Sequence, residues 1–276
     1  MHKKFELFRL SLVAREQRDF ILDGLDGNIT KEEYIRKVFS CKYLIIHRGV
    51  ELHYVFFEKS KNKKFLGGRI GRSFQNVEYT PPAQGLSEEI HKGWKALSIV
   101  IDPSHHTDGQ KIAVEVNNDV GTSSSILFSL IEEINRRSDA IYAIDCHPII
   151  DSKSFWSFAE LHKGNITQLS FEFTAPNMFG GKDSIQQELR AFRDQEKAQK
   201  VGIRLSSPDG LNTNTERVRE SVEYAEKGCG DIQARTKEGS VYNSKKRVKM
   251  TQVTIESDEF ETMTEILKEA TKILGE

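Results

Sequence analysis

Between residues 58 and 74, in EKSKNKKFLGGRIGRSF, six cations, Lys59, Lys61, Lys63, Lys64, Arg69 and Arg72, surround Gly67, Gly68 and Gly71. These are the materials of a phosphate site, because glycine lets backbone approach an oxyanion and lysine supplies charge. The spacing is not that of a nucleotide loop. A P-loop needs GxxxxGK followed by Ser or Thr, and a dinucleotide fingerprint needs GxGxxG between a strand and a helix. GGRIGR meets neither pattern. What remains is a β-hairpin rim that offers charge to a phosphate backbone without reading bases. The plainer alternative is a lysine-rich edge that resists aggregation.

A second basic stretch, RTKEGSVYNSKKRVK at residues 235 to 249, carries Arg235, Lys237, Lys245, Lys246, Arg247 and Lys249 against the single acid Glu238. Its neighbours are acidic: Glu216, Glu220, Glu223 and Glu226 before it, and Glu259, Glu261, Glu265 and Glu269 after it. The chain carries a formal net charge of -1, so attraction for a polyanion has to come from placement. Two basic tips beside acidic helices make such a dipolar surface, and the twelve cations named form the expected nucleic-acid-binding set.

Other residue types in the chain could also do chemistry. Asp102 and Glu115 end two neighbouring strands, as metal-binding carboxylates of a nuclease do, but Asn117 stands where a restriction-type site has its lysine. A metal-dependent nuclease using Asp102 and Glu115 is the alternative function, and a protein-interaction subunit whose basic tips only keep it in solution is a third. His105 and His106 share a turn with Asp108, and adjacent histidines project apart. In Asp145-Cys146-His147 the cysteine and histidine of a strand face opposite sides, which argues against a Cys/His nucleophile. Asp183 after Gly180-Gly181 reads as a helix N-cap ahead of any anion site. No catalytic residue, metal ligand or cofactor is assigned.

The elements that must position these groups are legible from periodicity. FELFRLSLV alternates as a strand; Thr30 and Glu33 form a capping box before a helix; KYLIIH, ELHYVFFEK and KFLGGRIG follow as strands. EYTPPAQG reads as a surface loop, because tandem prolines cannot donate to a central ladder. ALSIVID and KIAVEV resume the strands, then come a helix at 122–137, the strand AIYAIDCHPII and a helix ending near Gly164. Beyond 165 the order is strand, helix 183–198, strand, helix 213–227, two strands and a helix from 258. Its first crossover is a candidate right-handed βαβ unit. The expectation is an α+β protein: residues 1–164 form a mixed sheet with flanking helices, and residues 165–276 a smaller βαβαββα domain of α/β type.

With 276 residues, 29% charged and 37% apolar, the chain has the make-up of a globular protein. Three scattered cysteines, Cys41, Cys146 and Cys229, give no disulfide framework, and no long apolar run or secretion signal occurs. A cytoplasmic protein without a membrane partner is expected.

Residues 43–72, through Tyr43-Leu44, Ile46-His47-Arg48, Phe56-Phe57, the lysine-rich turn, Ile70 and Arg72, resemble the N-terminal region of the RexA family of phage exclusion proteins. LSFEFTAPNMFGG and LSSPDGLN resemble stretches of uncharacterised bacterial proteins associated with phage defence. The resemblance implies a homodimer that binds duplex DNA without sequence preference, DNA over RNA. It also implies no catalytic site; the expected role is that of a sensor or regulator in phage defence, with a second defence protein as a possible partner.

Overall fold

A computed structural model of the chain describes residues 2–15, 29–58, 64–104, 110–174, 184–255 and 262–275. Strands β1 (His2–Ala14), β2 (Tyr43–His47), β3 (Val50–Phe56), β4 (Leu66–Tyr79), β5 (Glu88–Asp102), β6 (Gln110–Glu115), β7 (Tyr142–Pro148) and β12 (Met250–Thr254) make an eight-stranded sheet. Its order is β12-β1-β6-β5-β4-β3-β2, and β7 pairs with the C-terminal half of β1. Strands β8 (Ile166–Thr174), β9 (Lys200–Ser206), β10 (Gly230–Thr236) and β11 (Val241–Asn243) make a second sheet in the order β11-β10-β8-β9. The protein is of the α+β class, as its sequence pattern suggests.

Strand alternation sets the layers. One face of the large sheet presents Phe8, Leu10, Leu52, Tyr54, Ile70, Ile99 and Ile112 to α1 (Lys31–Phe39) and α2 (Ser123–Arg136). The opposite face presents Phe5, Leu7, Val100 and Ala113 to α6 (Thr262–Lys268) and α7 (Ala270–Leu274). The second sheet is covered on one face by α3 (Ser152–Leu161), α4 (Ser184–Glu196) and α5 (Glu216–Tyr224), through Phe155, Leu189, Val218 and Val222 on Leu169, Phe171 and Ile232. The capping box forms: Thr30 Oγ1 accepts from the Glu33 amide at 3.2 Å, and the Glu33 carboxylate from the Thr30 amide at 2.8 Å.

Four expectations need correcting. The large sheet is antiparallel in every pairing of its named strands, not mixed. Strands β8 and β9 are also antiparallel neighbours, so the first crossover is no βαβ unit; β9 and β10 are the parallel pair, with β8 between them. The last strand does not belong to a unit running from 165 to 276. β12 pairs with β1, and α6 and α7 cover the first sheet, because Val253, Met263 and Ile266 complete the core around Phe5 and Leu7. Finally, the surface loop expected at Pro81 and Pro82 forms, but it is only the tip of an arm, because the flanking strands run further than expected. β4 and β5 stay paired out to Tyr79 and Glu88, and a proline beyond the last rung removes no ladder bond.

Candidate nucleic-acid interface

The first basic stretch is the β3–β4 connection. Lys59, Lys61 and Lys63 lie outside the described residues. Lys64 is exposed, its ammonium 4.7 Å from the centre of the Phe65 ring, Arg69 is exposed on β4, and Arg72 is half-buried with its Nε enclosed. The glycines have structural work. A Cβ on Gly68 would come within 2.5 Å of Tyr54 Cε2, and one on Gly67 within 3.0 Å of Leu267 Cδ1. They let the Tyr54 ring and α6 close on opposite faces of β4, so they form no phosphate cradle.

The second basic stretch begins on the small sheet, whose face away from the helices is uncovered, and ends at the large one, where the Leu7 amide donates to Lys249 O at 3.0 Å. Register puts Gln233, Ser170 and Arg204 in one row of that face, and Arg235, Gln168 and Ser206 in the next. Arg204 was not singled out from sequence, yet Val201, Ile203 and Leu205 alternate with it and turn it to the open face. Arg204, Arg235, Lys237, Lys246, Arg247 and Lys249 are exposed. No ion pair to any of them occurs among the described residues. The acids of that face are already matched: Lys200 lies 3.8 Å from Glu172, and Lys245 lies 3.1 Å from Asp231. Helix cations are matched too, Arg136 to Glu132 at 2.7 Å and Arg217 to Glu188 at 2.7 Å. Lys245 thus anchors Asp231, while its five neighbours in the basic stretch keep their charge free.

At its far end the open face closes against the large sheet through a buried ionic cluster. Arg9 and His147 are direct partners across β1 and β7, and Asp145 lies two residues from His147 on the same face. The His147 Nε2 is 2.7 Å from Thr174 Oγ1 and 3.1 Å from Asp145, and its Nδ1 is 3.9 Å from Asp231. Burial alone would depress His147, but the carboxylates of Asp145 and Asp231 outweigh it and hold its pKa at about 9. Burial likewise opposes ionisation of Asp145, and His147 with Lys200 overcomes it, bringing Asp145 to about 2. Thr174, His147 and Asp231 have the types of a nucleophile, base and orienting acid. Held between Asp145 and Asp231, with Thr174 on its Nε2, the His147 ring joins the two sheets. The Asp-x-His spacing on a strand was the signal for it, since residues i and i+2 share a face.

Asp102 and Glu115 do not come together. Asp102 is opposite Lys111, four residues before Glu115 on β6, which is about 13 Å along a strand. Glu115 pairs instead with Lys3 and accepts the Ser98 amide at 2.9 Å. Among the described residues no group of three or more His, Cys, Asp or Glu could hold a metal ion. His105, His106, Asp108 and Asp183 lie outside the described residues.

One further surface stands out. Leu44, Ile46, Val55, Val77, Tyr79, Ile90 and Trp94 are between 46% and 63% exposed. The pairings of β2 with β3, β3 with β4 and β4 with β5 put all seven on one face, running from the sheet edge out along the β4–β5 arm. The opposite face of the arm is polar, with His91 near Glu78 and Glu89.

No helix among the described residues is long and apolar enough to cross a membrane. Comparison of the chain with protein-family models, curated proteins and solved structures finds no match.

Proposed function

We propose that the protein binds nucleic acid through the phosphate backbone without sequence preference, duplex DNA foremost, as a homodimer serving as sensor or regulator in phage defence. The observation that carries the reading is the uncovered face of the four-stranded sheet. Its acids are matched by lysines, while Arg204 and Arg235 have no acidic partner among the described residues. Guanidinium groups free of carboxylates are available to phosphate oxygens, and contacts to phosphate carry no sequence information. The defence role rests on the resemblances of residues 43–72 and of LSFEFTAPNMFGG and LSSPDGLN.

The homodimer has a surface to form on. Seven large apolar side chains, each roughly half outside the fold, amount to about 700 Å², near the ~800 Å² that each partner gives a standard interface. Glu51, Arg69, Gln75, Lys92 and Glu88 stand exposed on the same face, so an interface there would join apolar and charged groups.

Gel retardation of duplex DNA across a salt series tests the binding. Affinity should fall with a log–log slope of about -0.9 per phosphate neutralised, and Arg204→Glu with Arg235→Glu should flatten it. Wild-type protein that retards neither DNA nor RNA at low salt would remove the reading.

A further inference from the structure

Beside the second basic stretch lies a cavity of about 420 Å³ between the end of α3 and the segment 207–214. Its wall includes the indole of Trp156, Glu160, Lys163 and the side chains of Asn212, Thr213 and Asn214. The segment is held against α3 by backbone: Gly210, at φ +105°, packs on Gly164 so closely that a Cβ would collide with the Gly164 carbonyl oxygen. The Leu211 amide donates to Ile166 O at 2.7 Å and closes the same wall.

The polar groups of the wall are oriented. Asn212 Oδ1 accepts from the Asn214 amide at 3.0 Å, and Asn214 Oδ1 accepts from Arg219 Nη2 at 2.5 Å. With both oxygens engaged, the two side-chain NH₂ groups remain as donors. Trp156 is half-buried and set edge-on to Phe155, with ring centroids 5.1 Å apart at 71°, so its plane is fixed by the core beneath. Lys163 makes only an exposed contact of 4.0 Å with Glu160, a pair worth little.

The basic stretch adjoins this wall. The Lys237 amide donates to Asn165 O at 2.9 Å, so the backbone of the basic stretch runs beside Gly164 and Asn165, while the Arg235 side chain stands on the sheet face away from α3. A flat apolar ring, fixed amide donors, a volume within the ~300–1,000 Å³ range of ligand pockets, and the Lys163 cation in the lining match one unstacked nucleotide. A base pair within a duplex presents no free face to an indole.

We infer that this cavity takes a single nucleobase of an unpaired strand, stacked on Trp156 with its acceptor edge toward Asn212 and Asn214, while a flanking phosphate meets Lys163. The inference rests on the backbone-binding reading and deepens it: the protein distinguishes unpaired from paired strands at this point.

The test uses the full chain carrying Trp94→Phe, which leaves Trp156 as its sole tryptophan. Single-stranded oligonucleotides should quench Trp156 fluorescence. Trp156→Leu, which keeps an apolar filler without a stacking face, should weaken single-strand binding about tenfold and leave duplex binding within twofold. Unchanged single-strand affinity in a folded Trp156→Leu protein would overturn the inference and leave backbone binding standing. Should wild-type protein bind neither duplex nor single strand, millimolar mononucleotides decide the cavity separately: quenching of Trp156 supports it, and no quenching ends it.

Discussion

His147 on the large sheet faces Asp231 on the small one, Nδ1 to Oδ2 at 3.9 Å, and both side chains are more than nine-tenths buried. Asp145 and Thr174 hold the other side of the same ring, so one imidazolium fastens the two sheets together. A buried charge is tolerated only when paired and hydrogen-bonded, and His147 has a carboxylate on each nitrogen's side.

This arrangement makes stability depend on pH in a stated direction. His147 is raised from 6.5 to about 9, so its stabilising contribution is complete below about pH 6.5 and is lost as pH rises through 9. The size is of order 3 kcal/mol. Urea unfolding from pH 6 to pH 10 should show that loss, and His147→Gln should flatten the dependence while costing about 3 kcal/mol at pH 7. An equal slope in the variant would mean that another group drives it.

Gly68 gives a sharper steric test. Alanine there would place a Cβ 2.5 Å from Tyr54 Cε2, and the ring is anchored by its hydroxyl donating to Phe39 O at 2.8 Å. Gly68→Ala should cost at least about 2 kcal/mol by overpacking. Gly71→Ala meets only ordinary contact, the nearest atom being Lys95 O at 3.5 Å, and should lie within about 1 kcal/mol of wild type. Thermal melts of the two variants compare them directly; a silent Gly68→Ala would restore the phosphate-cradle reading of the Gly67-Gly68 pair.

Much of the fold follows from local pattern. The Thr30–Glu33 box, the alternation of β1 and the apolar stripe of α2 each have a short-range cause, and they form as expected. Partner choice between strands does not. Val253 and Met263 join the first sheet because Phe5 and Leu7 need covering from a segment about 250 residues away, and nothing in TQVTIES states that destination. The site divides the same way. Clusters of cations are visible in sequence, but which of them are already spent on acids is a tertiary fact: Lys245 meets Asp231, and Arg235 meets none among the described residues.

That difference separates two neighbours in the basic stretch. Lys245→Ala removes a partner from the buried Asp231 and should lower stability by about 1 kcal/mol. Arg247→Glu alters an exposed cation and should leave stability within about 0.5 kcal/mol of wild type. In DNA binding the order reverses: Arg247→Glu should weaken retardation and lower the salt slope by roughly one phosphate, more than Lys245→Ala does. Paired melting and retardation measurements check the crossing of the two effects.

The apolar face calls for a change of assembly state rather than of fold. Ile90 and Val77 are direct cross-strand partners on the β4–β5 arm, and Trp94 lies four residues from Ile90 on the same face. These side chains contribute little to the core, so Ile90→Lys with Trp94→Lys should leave the melting temperature nearly unchanged. If a second copy covers the face, the double variant should sediment as a monomer at concentrations where wild type is a dimer. Two lysines on each partner place four unpaired charges in a desolvated interface, which is enough to weaken it more than a hundredfold. Wild-type protein that sediments as a monomer at every accessible concentration would show that the face has another occupant, and the homodimer would be withdrawn.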